Sequence, residues 1–303
     1  MKAVVLYEYG DTDKLQYETD QQEPPFGPNE VRVRVRATSI NPIDWKLRSG
    51  AARARMPIDF PAILGRDLAG EVVDFGRDVT GFRKGQRVMA LANGTYAEFT
   101  TVKADVLAPI PDALSFEQAA ALPLVLTTGA QLIERGVKPQ PGWTILVTGA
   151  IGGVGRTAVY VARKHGAHVI AGVKSSQREE AAKLGAERVV ALDDEKDIAT
   201  LRDLDAIADT VGGETIAKLL QAIKPGGVLG SVLGEPKEAA GKNIQVRAVF
   251  AQPDASRLLE LANDVARGEF TIPIAKVFRL EEARKAQDFA EHDHPNGKVL
   301  LVA

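Results

Sequence analysis

A glycine-rich stretch in the middle of the chain is the clearest candidate for chemistry: Val147-Thr148-Gly149-Ala150-Ile151-Gly152-Gly153-Val154-Gly155. Written as Ala-x-Gly-x-x-Gly, it is a variant of the dinucleotide-binding fingerprint with its first glycine replaced. Glycines in such a turn let the backbone approach a pyrophosphate, whose charge then lies at the N-terminus of the following helix. An apolar stretch precedes the motif and a valine-rich stretch follows it, as the fingerprint requires. The nucleotide-contacting residues predicted here are Gly149, Ala150, Gly152, Gly153 and Val154.

The kind of nucleotide is read about 20 residues beyond the fingerprint, where an NAD site carries Asp or Glu for the ribose 2′-hydroxyl. That region is Val173-Lys174-Ser175-Ser176-Gln177-Arg178, without a carboxylate. Two cations beside two hydroxyls are what a 2′-phosphate needs. We therefore expect NADPH rather than NADH, with Lys174, Ser175 and Arg178 in contact; the alternative is that both cations are ordinary surface residues.

These motifs must be positioned by alternating strands and helices. Candidate strands at 144–148, 168–173, 188–192, 205–209, 228–233 and 244–250 alternate with candidate helices at 154–165, 177–184 and 215–223. This alternation predicts right-handed crossovers and a parallel, doubly wound sheet, an α/β fold.

The first hundred residues differ in pattern. Val31 to Ala37 alternates valine with arginine, which predicts a half-buried strand, and 68–75, 87–92 and 96–102 are further strand candidates. Ser115 with Gln118 is a capping-box pattern that opens a helix at 116–122. The tail carries candidate helices at 255–267 and 281–291 and strands at 272–278 and 298–302; from these patterns it could extend either sheet.

Composition excludes several classes of protein. A net charge of −2 gives no basic excess for nucleic acid or an anionic membrane, and the absence of cysteine rules out disulfides and thiolate metal sites. The early acidic residues do not fit a signal peptide, and no apolar run is long enough for a membrane span. We expect a cytoplasmic protein.

Several further segments occur together across almost the whole chain. They are Asn41-Pro42-Ile43-Asp44-Trp45-Lys46, Pro61 to Val72, Asn93 to Phe99, Ala119 to Leu124, Asp209 to Gly213, Lys224 to Gly227 and Gly297 to Leu300. With the glycine motif, they resemble the zinc-independent, quinone oxidoreductase-like branch of the medium-chain dehydrogenase/reductase superfamily.

The resemblance implies a GroES-like (chaperonin-10-like), mostly β catalytic domain at 1–114 and 269–303, and a Rossmann NADP-binding domain at 115–268. It therefore returns the tail to the first domain. It also implies that cofactor and substrate meet in a cleft between the domains. It further implies a homodimer, with strand 244–250 as a candidate edge for pairing between subunits.

Zinc-dependent relatives carry a cysteine at Asn41 and a His-Glu pair at Arg66-Asp67. Zinc takes Cys, His or carboxylate ligands, so neither Asn41 nor Arg66 is a plausible ligand, and this chain is not expected to bind a catalytic metal. His292 and His294 do not have the spacing of a helical ligand pair.

Without a metal, the substrate oxygen needs hydrogen-bond donors. The candidates placed by resemblance are Asn41, Asp44, Arg66 and Tyr96, with Asn41 or Arg66 as a donor to a carbonyl and Tyr96 as a donor or proton source. Other interpretations stay open: Asn41 as the start of a turn, Asp44 as a helix cap, Arg66-Asp67 as a structural pair and Tyr96 as a core aromatic.

For the cofactor, the resemblance adds residues at or beyond strand ends and one near the nicotinamide: Thr127, Val211, Leu233, Gly234, Phe250 and Lys298. Phe250 could equally be a core residue and Lys298 a solvated lysine. The expected reaction is NADPH-dependent hydride transfer to a quinone or α,β-unsaturated carbonyl, with no nucleic-acid or membrane partner. The rival functions are an enoyl-thioester reductase and a non-catalytic NADPH-binding redox sensor.

Overall fold

The computed structural model describes all of residues 1–303 and divides them into two compact units. Unit 1 comprises Met1–Leu124 with Pro253–Ala303, and unit 2 comprises Val125–Gln252. The described helices include none that is both long and apolar enough to cross a membrane.

Unit 1 is built mainly of antiparallel sheet. Its strands are β1 (Ala3–Leu6), β2 (Leu15–Glu18), β3 (Glu30–Ile40), β4 (Ala62–Ile63), β5 (Asp67–Phe75), β6 (Arg87–Leu91), β7 (Phe99–Lys103), β8 (Ala108–Pro109), β15 (Ile274–Arg279) and β16 (Lys298–Val302). They form a sheet β2-β1-β4 and a larger sheet β15-β16-β3-β5-β6-β8, in which β7 also pairs with β3. The helices are α1 (Pro42–Arg48), α2 (Phe116–Ala120), α8 (Ala255–Ala266) and α9 (Ala283–His292).

The alternation in β3 has the predicted physical basis. Val31, Val33 and Val35 are buried, whereas Arg32 and Arg34 on the opposite face are not. At its other end β3 pairs antiparallel with β16, and β16 pairs parallel with β15. The tail therefore belongs to the sheet of unit 1, as the resemblance implied.

Unit 2 contains one six-stranded sheet in the order β11-β10-β9-β12-β13-β14, with every pair parallel. The strands are β9 (Thr144–Thr148), β10 (His168–Val173), β11 (Arg188–Ala191), β12 (Leu204–Asp209), β13 (Ile223–Ser231) and β14 (Gln245–Ala248). The helices are α4 (Gly153–Lys164), α5 (Arg178–Ala182), α6 (Glu195–Ile198) and α7 (Gly213–Leu219). Helix α3 (Pro123–Gln131) continues as a π-helical segment, Leu132–Val137. Ile145, Leu146 and Val147 are fully buried, as a sheet covered on both faces requires.

Two predicted strands begin at a clearly different residue, while several others differ by one to three residues at an end. Strand β13 starts at Ile223 rather than 228, because the register with β12 shifts between Leu204–Ile223 and Ala206–Val228, so the Pro-Gly-Gly segment is accommodated as a bulge. Strand β7 starts at Phe99 rather than 96. Tyr96 instead makes single backbone hydrogen bonds to Leu64 and Val4.

The predicted domain boundaries, at 115 and 268, stay a prediction. By contacts alone, residues 115–124 and 253–268 lie in unit 1. Helix α2 packs on β3 and β5, and α8 packs on β8, which accounts for that assignment. The capping box of α2 is confirmed, since Ser115 Oγ accepts from the Gln118 N–H and Gln118 Oε1 accepts from the Ser115 N–H.

Candidate functional site

The glycine motif lies at the carboxyl end of β9, where the strand order reverses. From β9 the chain builds outward through β10 and β11, and then returns to place β12 on the opposite side of β9. Ligands of open α/β sheets bind at such a switch point. The motif therefore occupies the position at which a dinucleotide site is expected in this fold.

The glycines serve two different purposes. A Cβ on Gly155 would lie 2.1 Å from the Gly149 carbonyl oxygen, so only glycine lets α4 approach the end of β9 this closely. Gly149 has φ of +61°, which favours glycine in the turn itself. Gly152 is exposed at the N-cap of the 12-residue helix α4, where the N–H groups of the first turn can receive a phosphate.

Arg156 supports this loop and was not singled out from the sequence. It is 5% exposed, its Nε donates to the Ile151 carbonyl at 2.8 Å, and its Nη2 pairs with Glu180 Oε1 at 2.6 Å. This contact holds the pKa of Glu180 below its usual value. The Arg156 side chain thus secures the glycine loop to the next helix. A cation four residues into α4 was the available signal.

The adjoining loop after β12 is held by Asp209, which was also missed as a positioning residue. The buried Asp209 carboxylate accepts from Thr148 Oγ1 at 3.0 Å, from the Gly212 N–H at 2.9 Å and from Ser231 Oγ at 2.8 Å. Three strand ends are thereby tied together at one edge of the sheet.

Three of the predicted cofactor walls are exposed apolar side chains. Val211, Leu233 and Phe250 are 46%, 40% and 47% exposed, so Phe250 is not a core residue. Val211 and Leu233 lie close to the same turn. A Cβ added to Gly149 would be 3.1 Å from Val211 Cγ2, and a Cβ added to Gly212, which follows Val211 in the chain, would be 2.5 Å from Leu233 Cδ1. Gly234 follows with φ of +99°. Exposed large apolar residues in a group indicate a ligand surface.

Thr127 lies on a helix that packs against the glycine loop. Close contacts of Val125 with Gly153, and of Gly129 with Val154 and Thr157, join α3 to the first turns of α4. Thr127 is 3% exposed, and its Oγ1 is a buried polar atom without a hydrogen-bond partner. Such an atom is satisfied when a ligand supplies a partner.

The four predicted catalytic residues and Lys298 all lie in unit 1. Tyr96 OH donates to Asp44 Oδ2 at 3.0 Å, and Asn41 Nδ2 donates to Asp67 Oδ2 at 2.7 Å. Lys298 Nζ donates to Asn41 Oδ1 at 2.5 Å and pairs with Asp67 at 3.4 Å. These five residues, Asn41, Asp44, Asp67, Tyr96 and Lys298, form what we call the buried polar cluster.

Burial distinguishes the catalytic candidates. Asn41, Asp44 and Tyr96 are at most 1% exposed, and each forms a side-chain hydrogen bond within the cluster. Arg66 is partly exposed, with Nη1 on Asn93 Oδ1 and a buried Nε that has no partner. Arg66 and Asp67 are not a structural pair, since Asp67 pairs with Lys298; nor is Lys298, 7% exposed, a solvated lysine. Asp44 does act as a cap, because Oδ2 accepts from the Asn41 N–H at 2.8 Å.

Burial raises the pKa of Asp44 to about 7, although hydrogen bonds from the Asn41 N–H and the Tyr96 hydroxyl lower it. The second carboxyl oxygen, Oδ1, is buried and has no hydrogen-bond partner. Burial likewise raises the pKa of Tyr96 well above 10, with the Asp44 charge adding to the effect. The pair is therefore a neutral or singly charged unit near neutral pH.

We expect the stability of the protein to fall as the pH rises from about 4 to about 7, because folded Asp44 keeps a proton that the unfolded chain releases. The loss is of order a few kcal/mol and levels off above the folded pKa. Urea unfolding of wild type and Asp44→Asn from about pH 5 to 8 measures it. The variant should lack this component, whereas the exposed Asp59→Asn should keep it; identical profiles for wild type and Asp44→Asn would contradict the assignment.

Comparison with known proteins identifies the family. Residues 27–112 match the Alcohol dehydrogenase GroES-like domain family, and residues 184–301 match the family described as Zinc-binding dehydrogenase. The chain is 34% identical to the mitochondrial NAD(P)H oxidoreductase RTN4IP1 of Bos taurus, over 99% of this chain and 89% of that protein. It is 27% identical to the Quinone oxidoreductase of Mus musculus, over 100% and 98%.

Solved structures agree with this relationship. Escherichia coli quinone oxidoreductase complexed with NADPH superposes with a TM-score of 0.87 at 27% identity, covering 100% of both chains. The all-parallel sheet with its glycine loop, the mixed sheet of unit 1 and these full-length similarities are consistent with one another. The chain belongs to the quinone oxidoreductase-like family of the medium-chain dehydrogenase/reductase superfamily.

Proposed function

We propose that the protein is an NADPH-dependent reductase that transfers hydride to a quinone or an α,β-unsaturated carbonyl without zinc. The observation that carries the proposal is the glycine loop at the switch point, with exposed Val211, Leu233 and Phe250 at the same edge of the sheet. The relatives named quinone oxidoreductase and the neighbour complexed with NADPH support the choice of substrate class and cofactor.

The residues of unit 2 fit a nicotinamide dinucleotide. The glycine loop and the first turn of α4 would hold the pyrophosphate, and Lys174, Ser175 and Arg178 would face the 2′-phosphate. Val211 and Leu233 would cover a ring, and the unpartnered Thr127 Oγ1 would bond a polar group of the nicotinamide. When bound, the reduced nicotinamide supplies the hydride.

The residues of unit 1 do not fit a catalytic zinc ion. The Asn41 amide oxygen and the Asp67 carboxylate both bind the Lys298 ammonium, so a cationic side chain already contacts the positions at which zinc-dependent relatives carry the cysteine and the glutamate. An ammonium and a nearby metal cation would repel each other. We therefore derive no step through a metal.

Among the four catalytic candidates, Arg66 is the one we propose to contact substrate. Its side chain is partly exposed, so its guanidinium can donate to an oxygen on which negative charge develops. Asn41, Asp44 and Tyr96 would act as positioning residues through the hydrogen bonds of the buried polar cluster. For Asn41 or Tyr96 to donate a hydrogen bond to the substrate, its present hydrogen bond to Asp67 or Asp44 would first have to break.

We expect NADPH-dependent reduction of a panel of quinones and enones that persists in EDTA, measured by loss of the reduced nicotinamide absorbance. Lys174→Gln should raise the KM for NADPH about tenfold and leave that for NADH unchanged, since it removes one charge-assisted contact to the 2′-phosphate. The exposed Lys242→Gln is the charge-matched control. Tight NADPH binding without turnover would favour the redox-sensor function; no binding of either coenzyme would rule out both.

A homodimer and a cytoplasmic location stay predictions. Strand β14 is at the edge of the six-stranded sheet, where backbone groups of Gln245–Ala248 can pair with a second copy. Light scattering tests the association. The relatives include proteins named as mitochondrial, so fractionation of the source cell is the test of the compartment.

A further inference from the structure

The segment that would face the 2′ position carries a carboxylate brought in from another strand. Asp193 follows β11, 18 positions beyond Ser175, and its Oδ1 accepts both the Ser175 N–H and the Ser175 Oγ–H at 2.8 Å. Both are donors that a 2′-phosphate would use. These two hydrogen bonds, together with the nearby Lys174 charge, keep the pKa of Asp193 below its usual value. Its exposed side chain is therefore ionised at neutral pH.

A second donor of the segment is also engaged. Arg178 Nη2 pairs with Asp197 Oδ2, and Asp197 is itself held by the Ala191 N–H at 2.7 Å. The Arg178 guanidinium is thus directed toward the strand β11 and the helix α6. Of the three residues expected to face a 2′-phosphate, Lys174 has a side chain that no carboxylate contacts in the structure.

The segment 173–178 by itself carries two positive charges, Lys174 and Arg178, and no negative one. In the structure, the carboxylates of Asp193 and Asp197 lie beside it and offset part of that positive charge. A 2′-phosphate beside Ser175 would place a charge of nearly −2 next to the Asp193 carboxylate. The two like charges would repel each other, and solvent ions would screen this repulsion only in part because the groups are so close. A 2′-hydroxyl, by contrast, is a neutral donor, and a carboxylate is the group that accepts it in NAD sites.

We propose that Asp193 is a specificity-determining residue, which accepts the ribose 2′-hydroxyl of NADH and weakens the binding of NADPH, so that the enzyme uses both coenzymes. This inference rests on the proposed nucleotide site. Lys174 attracts the phosphate and Asp193 opposes it, and the preference is the difference between the two. Asp193 acts on coenzyme binding and not on the hydride transfer.

The experiment compares wild type, Asp193→Asn, Lys174→Gln and Glu195→Gln by calorimetric titration with NADPH and NADH. Asn keeps the shape of the side chain and removes the charge. Glu195→Gln makes the same change in net charge two residues away, on an exposed side chain with no contact to Ser175. For Asp193→Asn we expect the Kd for NADPH to fall about tenfold and that for NADH to rise a few-fold. Thermal unfolding of each variant shows whether the fold is retained.

The outcomes separate the inference from the proposed function. If Lys174→Gln weakens NADPH while Asp193→Asn leaves both Kd values at wild-type level, the nucleotide site stands and the role of Asp193 is wrong. The inference is also overturned if Asp193→Asn changes both coenzymes equally, because a merely structural link between Asp193 and Ser175 would not discriminate between them. If wild type binds neither coenzyme, the proposed function itself fails.

Discussion

Replacement of Gly155 by alanine is expected to lower the free energy of unfolding by about 3 kcal/mol and to abolish binding of the nicotinamide coenzyme. The added Cβ would lie 2.1 Å from the Gly149 carbonyl oxygen and 2.8 Å from the Ala150 Cα. Both atoms belong to the backbone, so no side chain can rotate away. Helix α4 must move off β9, which displaces the N–H groups that would hold the pyrophosphate.

Gly152→Ala is the matched control for Gly155→Ala. Gly152 has φ of −68°, and its added Cβ would be 3.3 Å from the Gly149 carbonyl oxygen. Its stability should stay within about 0.5 kcal/mol of wild type, while coenzyme binding weakens because the methyl group lies on the exposed side of the loop. Urea unfolding with calorimetric titration measures both quantities. A Gly155→Ala protein with wild-type stability would show that α4 does not need this close approach.

Replacement of Lys298 by methionine is expected to cost about 3–5 kcal/mol, since it leaves the Asp67 carboxylate buried without its cation. Asp67 is 0% exposed and accepts from Asn41 Nδ2, Ser39 Oγ and the Leu124 N–H, at 2.6 Å for the last. These neutral donors stabilise a carboxylate but do not neutralise it. Asn41 would also lose the ammonium that its amide oxygen accepts from.

A double substitution separates the loss of charge from the loss of packing. Asp67→Asn combined with Lys298→Met removes both charges, and we expect it to be more stable than Lys298→Met alone. The exposed Lys103→Met should have little effect. Urea unfolding of the four proteins is the measurement. If Lys298→Met unfolds like wild type, the ammonium is not compensating Asp67, and the buried polar cluster does not depend on it.

Local patterns were sufficient for most strands and helices and for the position of the glycine loop, whereas the resemblance was needed to place the tail in unit 1. The period of two in Val31–Arg36, the capping box at Ser115 and the glycine spacing up to Gly155 each act over a few residues, and the corresponding elements form where these patterns predicted. The alternation of candidate strands and helices beyond residue 144 predicted the parallel sheet of unit 2, because parallel neighbours need a crossover connection between them.

Long-range contacts could not be read in this way. Whether the Asn41 side chain is free to bind a ligand depends on Asp67 and Lys298, which are 26 and 257 positions from it and engage its amide group. The absence of a carboxylate from 173–178 was correct along the chain but not in space, because the parallel pairing of β10 with β11 brings Asp193 to Ser175. The partners of Asp193 and Asp67 lie far from them in the sequence: Ser175 is 18 positions from Asp193, and Lys298 is 231 positions from Asp67. Charge balance at a site is a property of strand pairing, and it appears only when the tertiary structure is formed.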